Sequence, residues 1–326
     1  MRVTVTGAAG FIGSHLCEHL LRAGHDVAGI DAFTRFYSRE VKEGNLAGLR
    51  RSPDFELAQR NLLAEAPLAP LLRGSEAVCH LAGRPGVRSG TRERLEAGNV
   101  RTTAAVLRAA AQAGARRVLL ASSSSVYGSA RGPVAEDAPL RPLSEYGRSK
   151  RRAEVVAASL AAELGLELVT LRYFTVYGPR QRPDMAFARF AHAALAGEPM
   201  ELLGNGRQRR DFTYVGDVAD ATVAALERAP AGSVLNVAAG RPAALADALA
   251  LLAAALGAAA PFTPRPADAR EPRATAADLG RIRHQLGWEP QVTLERGLAL
   301  QAELGRENRA RQGSRLEGLV GQAEGR

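Results

Sequence analysis

The chain has 326 residues, 46% hydrophobic and 24% charged, with a formal net charge of +9. That length supports one large domain or two intimate ones with a sizeable core, and the mix excludes collagen-like, disordered and disulfide-scaffold proteins. Of the 43 basic residues 41 are arginine, spread along the sequence, and aromatics make up only 5%, so the charge reads as composition bias and no nucleic-acid partner is expected.

No run reaches the ~18 apolar residues of a membrane span, so no membrane partner is expected either. Met1 leads straight into a strand pattern, leaving no room for a signal peptide. Cys17 and Cys79 lie in apolar segments without a CxxC pair; they read as reduced core residues and point to the cytoplasm. No metal is expected. Lys42 and Lys150 are the two lysines. Where every other cation is Arg, a retained Lys marks a place that needs a compact ammonium.

In chain order, strands are predicted at Val3–Thr6, Asp26–Ile30, Phe55–Gln59, Ala77–Leu81, Arg117–Ser122 and Glu167–Arg172. Helices are predicted from Phe11 to about Arg22, Thr91 to Ala113 and Glu145 to Leu164. This alternation predicts an α/β fold, a Rossmann-type doubly wound parallel sheet. Pro and Gly then become frequent between Gly178 and Arg210. Further strands are predicted at Asp211–Tyr214 and Ser233–Val237, helices near Asp217–Arg228 and Ala243–Leu256, and a loop over Pro261–Pro272. From about Gln301 the chain turns polar and reads as a fraying helix and tail. The expected division is a first, nucleotide-fold domain over 1–172, with segments near 212–239 returning to it. A smaller C-terminal α/β substrate domain follows, mainly 173–310, and then a flexible tail, 311–326.

Thr6-Gly7-Ala8-Ala9-Gly10-Phe11-Ile12-Gly13 joins the first strand to the first helix. Its glycines allow a tight turn, close approach of backbone to a pyrophosphate and close helix–strand packing, while the helix N-terminus offers free N–H groups. Asp31, 18 residues beyond Gly13, ends the second strand. A carboxylate there accepts the adenosine ribose hydroxyls and repels a 2′-phosphate, so NAD is the expected cofactor.

Tyr146-Gly147-Arg148-Ser149-Lys150 puts a phenol and an ammonium on one helical face. A nearby ammonium stabilises phenolate, making Tyr146 an acid/base beside a hydride-transfer centre. Ser122-Ser123-Ser124-Ser125 follows the fifth strand and offers a hydroxyl to the substrate oxygen; spacing alone leaves open which serine points inward.

These motifs occur with His80-Leu81-Ala82-Gly83, Asn99, Arg172-Tyr173-Phe174-Thr175-Val176-Tyr177-Gly178-Pro179, Arg210-Asp211-Phe212-Thr213-Tyr214-Val215 and Leu286-Gly287-Trp288-Glu289-Pro290. Over about residues 2–300 the chain resembles extended short-chain dehydrogenases/reductases of the NAD-dependent nucleotide-sugar epimerase/dehydratase family. The resemblance implies a catalytic set of Ser123, Tyr146 and Lys150, with Ser125 a second hydroxyl near the sugar. It implies a cofactor site of Gly7, Gly10, Phe11, Ile12, Gly13, Asp31, Asn61, Leu62, Leu81, Ala82, Asn99, Tyr146, Lys150 and Tyr173. It further implies that Arg88, Arg210, Arg265 and Asp268 bind the nucleotide-sugar substrate, and that the protein is a homodimer joined through helices near 91–113 and 145–164.

Dehydratases of the family carry an Asp-Glu pair where this chain has Ser124-Ser125, and decarboxylases carry a Glu at the second of these positions. Gly86-Val87-Arg88, Phe36-Tyr37 after Asp31, Phe174 to Pro179 and Arg182-Pro183-Asp184-Met185-Ala186 are instead similar to UDP-glucuronate 4-epimerases. There the threonine and arginine matching Thr175 and Arg182 hold the sugar carboxylate. The chain departs from that pattern at Arg84-Pro85, where small or amide residues are expected, at Ala32-Phe33 after Asp31, and at Asn61, where an Asp commonly meets the adenine. The expected activity is C4 epimerisation of UDP-glucuronate to UDP-galacturonate through a 4-keto intermediate. The alternatives are a 4-epimerase of neutral UDP-sugars, a decarboxylase, dehydratase or ketoreductase, and a non-catalytic NAD-binding protein.

Overall fold

The structure, a computed structural model, describes residues 1–86, 91–129, 132–259, 262–268 and 270–307. The first half runs β1 (Arg2–Thr6), α1 (Phe11–Arg22), β2 (Asp26–Asp31), α2 (Arg39–Leu46), β3 (Phe55–Gln59), β4 (Ala77–His80), α3 (Arg92–Leu95), a π-helical turn (Glu96–Arg101), α4 (Thr102–Gln112), β5 (Arg117–Ser123), α5 (Glu145–Leu164) and β6 (Glu167–Tyr173). The second half runs β7 (Thr175–Tyr177), α6 (Ala186–Ala196), β8 (Met200–Leu203), β9 (Arg209–Arg210), β10 (Phe212–Tyr214), α7 (Val215–Arg228), β11 (Val234–Val237), β12 (Ala243–Ala244), α8 (Leu245–Leu256), β13 (Phe262–Arg265) and α9 (Gly280–Leu286).

Seven parallel strands pair in the order β11-β6-β5-β4-β1-β2-β3. Alternate residues point to opposite faces, so Leu119 and Ala121 of β5 join one apolar layer while Val118 and Leu120 join the other. A third cluster, built on Tyr177, Phe187, Phe190, Leu249 and Leu252, unites α6 and α8. The strand order reverses beside β1, which has β2 on one side and β4 on the other. Ligands of open α/β sheets bind outside the carboxyl ends of the strands at such a switch point. The loops leaving β1, β2, β4, β5 and β6 all open there, and they carry most of the predicted site residues.

Helix α5 is capped at both ends. Ser144 Oγ accepts from Gly147 N at 3.1 Å, and Gly165 ends the helix at φ 67°. Its first two turns present Tyr146 and Lys150.

Several expectations change. The helix expected from Thr91 to Ala113 is interrupted by the π-helical turn, which contains Asn99. The Pro261–Pro272 loop contains β13, paired in parallel with β8, and the Ala243–Leu256 helix begins with the two residues of β12. Helices α2, α6 and α9 and strands β7, β8 and β9 are additional elements. Gln301 is no frayed residue: it lies buried in a helical segment over 294–307, and its Oε1 accepts from Gly178 N at 3.1 Å. The predicted tail, 311–326, and Arg88 lie outside the described residues. Among the described residues, no helix is long and apolar enough to cross a membrane.

Candidate active site

The turn after β1 depends on glycine for space. Gly7 sits at φ +77° with an ideal Cβ 2.9 Å from Ala82 N, and a Cβ on Gly13 would fall 2.1 Å from Gly7 O. Gly10 caps α1 without a side-chain hydrogen bond, so no side chain competes for the first N–H groups of the helix. Phe11 is buried in the core and Ile12 packs against it. Across the turn, Leu81 N donates to Thr6 O and Ala82 N to Thr6 Oγ1, both at 3.2 Å.

Asp31 is buried, and both of its oxygens are engaged. Oδ2 accepts from Ala9 N at 3.2 Å; Oδ1 accepts from Phe33 N at 2.7 Å and from Lys42 Nζ at 3.2 Å. The Lys42 ammonium also faces the rings of Tyr37 and Phe33, at 5.2 and 5.8 Å. Asn61 Oδ1 is used locally, accepting from Leu63 N at 3.0 Å, and Leu62 is buried. A glycine cradle, an uncapped helix N-terminus and a fixed carboxylate at the end of β2 fit a dinucleotide.

Ser123 ends β5. Its Oγ donates to Ser125 Oγ and accepts from Ser125 N, both at 3.2 Å, and it is hydrogen-bonded to Tyr146. Ser122 is turned away, its hydroxyl donating to Glu154. The order of the four serines is thereby resolved: Ser123 faces the phenol. Burial raises the Tyr146 phenol above its usual range, opposed by the Ser123 hydrogen bond and the Arg182 charge. Lys150, expected from the sequence as the cation beside the phenol, stands four residues beyond Tyr146 on α5, and the Arg182 charge acts on the phenol as well. Lys150 Nζ donates to Ala121 O at 2.8 Å, and burial brings its ammonium down to about 8, with Glu154 opposing.

Asn99 serves as a clamp. Its Oδ1 accepts from Arg84 N at 2.8 Å, and its Nδ2 donates to Arg84 O at 3.1 Å and to Ser149 Oγ at 2.9 Å. Ser149 Oγ in turn donates to Tyr146 O at 2.8 Å. The π-helical turn thus ties the loop after β4 to the first turn of α5. A Cβ on Gly83 would lie 3.6 Å from Lys150 Nζ.

On the sugar side, Thr175 opens β7, half-buried. Arg182 Nε and Nη2 donate to the two Asp184 oxygens at 3.0 and 3.1 Å, and the guanidinium stands 5.7 Å from the Phe36 ring. Arg210 pairs with Glu271 at 3.1 Å, Asp268 with Arg270 at 2.6 Å, and the exposed Arg265 with Glu201. The Tyr173 hydroxyl lies 2.8 Å from Thr222 Oγ1, which directs it into the core.

Sequence reasoning missed the supports behind the site. Arg172 lies across Glu154, with Nε to Oε1 at 3.0 Å and Nη2 to Oε2 at 2.8 Å; its Nη1 donates to Tyr127 Oη at 2.9 Å. Tyr127 Oη donates to Asn236 Oδ1 at 2.7 Å. Glu154 stands four residues beyond Lys150, so helical spacing was the one available signal. His80 Nδ1 is 2.8 Å from Thr6 Oγ1, and burial, aided by the Lys150 charge, lowers the imidazole to about 3.

The family model described as the NAD dependent epimerase/dehydratase family matches residues 3–238. A Bacillus subtilis protein called uncharacterized UDP-glucose epimerase YtcB is 38% identical, covering 91% of this chain and 96% of its own. The UDP-glucuronate 4-epimerase of Thermodesulfobacterium geofontis is 33% identical, covering 93% and 96%. The crystal structure of UDP-glucuronic acid 4-epimerase from Bacillus cereus, in complex with UDP-glucuronic acid and NAD, superposes with a TM-score of 0.90 at 37% identity, covering 94% of this chain and 99% of that one. With that match over most of its length, and with the glycine turn and the Ser123–Tyr146–Lys150 cluster at the switch point of the sheet, the chain belongs to the NAD-dependent epimerase/dehydratase family.

Proposed function

We propose that the protein is an NAD-dependent isomerase that interconverts UDP-glucuronate and UDP-galacturonate by epimerisation at C4. The observation that carries this reading is Arg182. It is braced by Asp184, acts electrostatically on Tyr146, and keeps Nη1 free of hydrogen bonds among the described residues. A carboxylate on the sugar completes that arrangement with a charge-assisted bond. Relatives with UDP-glucuronate named as substrate support the same reading.

Bound NAD supplies a reversible hydride acceptor beside C4. Gly7, Gly10 and Gly13 receive its pyrophosphate, and Asp31, oriented by Lys42, receives its adenosine ribose. Leu81, Ala82 and Asn99 shape the nicotinamide side, and Lys150 holds the adjoining ribose. Tyr146 takes the proton of the 4′-hydroxyl, with Ser123 hydrogen-bonded to the same oxygen and Ser125 supporting Ser123. The resulting 4-keto sugar turns in the pocket, so that hydride would return to the opposite face of C4 while Tyr146 gives the proton back to the 4′-oxygen. Arg210, Arg265 and Asp268 bind the nucleotide part.

The 4-keto uronate is a β-keto acid, which loses CO₂ when the breaking bond aligns with the carbonyl π system. Arg182 and Thr175 hold the carboxylate out of that alignment. Ser124 and Ser125, standing where eliminating or decarboxylating enzymes of the family carry acids, leave that chemistry without a proton donor. The protein acts in the cytoplasm as a homodimer, formed where Val155, 64% exposed on α5, lies beside Val100 and Pro142.

The test is incubation with UDP-glucuronate, without added reductant, and resolution of products by anion exchange and NMR. A second sugar of galacto configuration and unchanged mass is expected. A product lighter by CO₂, or reaction of UDP-glucose alone, would overturn the reading.

A further inference from the structure

We infer that Arg84 is a specificity-determining residue of the sugar subsite, forming with Phe36 and Arg182 a cationic wall that selects a carboxylate-bearing sugar. The inference rests on the UDP-hexuronate reading above.

Three loops meet at one ring. Phe36 comes from the loop after β2, Arg84 from the loop after β4, and Arg182 from the loop after β7. The Arg84 guanidinium carbon lies 5.4 Å from the Phe36 centroid and that of Arg182 lies 5.7 Å from it. Both cations therefore share one aromatic ring near Tyr146, the phenol on which Arg182 acts.

Arg84 is held for this position. Its N–H and C=O are both bonded to Asn99, and its Cβ packs so closely on the π-helical turn that a Cβ on Gly98 would fall 2.9 Å away. No other residue could take the place of Gly98 without moving Arg84.

Among the described residues its charge, unlike those of its neighbours, is uncompensated. Arg182 has Asp184, Arg180 has Glu18, and Arg210 has Glu271. Among the described residues, Arg84 forms no ion pair, and its Nε is buried without a hydrogen-bond partner. A partly buried guanidinium left unpaired is costly. A second guanidinium at the same ring adds repulsion that an anion bound between them relieves. UDP-glucose, with a hydroxymethyl group in place of the carboxylate, provides no such relief. The sequence also departs from the family pattern at this residue, where a small or amide side chain is expected.

The test compares wild-type, Arg84→Gln and Arg84→Lys proteins carrying NAD, with calorimetric titration of UDP-glucuronate, UDP-glucose and UDP at low and high salt. Loss of one charge-assisted contact predicts about a tenfold rise in the Arg84→Gln dissociation constant for UDP-glucuronate. Less than a twofold change is expected for UDP-glucose and UDP, together with a flatter salt dependence. Arg84→Lys, which keeps the charge, retains most of the preference and serves if the Gln variant fails to fold. An equal loss for all three ligands, or a fall in bound NAD, would assign Arg84 to the nucleotide or cofactor and overturn the inference. An undiminished preference in Arg84→Gln would overturn it alone. Equal affinities of the wild type for the two sugars would overturn the hexuronate reading and this inference with it.

Discussion

Lys42 and Asp31 form a buried ion pair: Nζ lies 3.2 Å from Oδ1, and each side chain is only 7% exposed. One of the two lysines in an arginine-rich protein therefore stands on the carboxylate proposed to receive the adenosine ribose. A guanidinium is larger and more rigid than the ammonium that fits between Asp31 and the Phe33 and Tyr37 rings.

Removing one partner of a buried pair costs about 3–5 kcal/mol, because the remaining charge loses its compensation. Asp31 keeps its Ala9 and Phe33 N–H donors, so Lys42→Met is expected near the lower limit, about 3 kcal/mol. Urea unfolding of NAD-free protein measures it; a loss below about 1 kcal/mol would show that the two backbone donors suffice.

Arg182→Ala tests the carboxylate clamp. The expected outcome is a fall in epimerisation of UDP-glucuronate by about one to two orders of magnitude, the worth of one or two charge-assisted bonds. Release of CO₂ should accompany it, as the 4-keto acid becomes free to align its carboxylate. Labelled CO₂ trapped during turnover reads the second effect. An unchanged rate with no CO₂ would remove the clamp.

Lys150 gives the activity an alkaline limit. Burial brings its ammonium down to about 8, so the cation is present below that pH and lost above it. For the free enzyme, kcat/KM is expected to decline with an apparent pKa near 8. Glu154 raises the Lys150 value, and Glu154→Gln should move the limit to lower pH. A limit that stays in place in this variant would assign it to another group.

His15 and His80 make the fold sensitive to acid. Burial lowers both to about 3, from an ordinary value of 6.5. The unfolded chain therefore takes up two protons that the fold refuses. Stability is fully present above 6.5 and is lost progressively as pH falls from 6.5 toward 3. Between pH 7 and 5 the loss is about 2 kcal/mol per histidine. Denaturant unfolding at pH 7 and pH 5 checks the sign, and His80→Asn should remove about half of the difference.

The strands of the sheet and the cofactor turn were legible because they are local. Val3 to Thr6 alternates its faces, Gly7 and Gly13 occupy positions where a Cβ collides with backbone, and Tyr146 and Lys150 lie one helical turn apart. The break in the helix around Asn99 was not legible, since a π-helical turn has no distinct residue pattern and is held here by contacts to Arg84 and Ser149, 15 and 50 residues away. Strand β13 escaped notice for a similar reason: it exists by pairing with β8.

The α/β alternation, the nucleotide turn, the carboxylate after β2 and the Tyr–Lys pair could be read from the residues, because periodicity and spacing act over a few positions. Which serine meets Tyr146, and what holds Lys150 and Asp31, emerged from the folded chain. Those outcomes depend on burial and on distances between loops far apart in the chain. Arg182, in the loop after β7, comes to act on Tyr146 of α5 although 36 residues separate them. Arg84 joins it at the Phe36 ring, which both guanidinium groups approach.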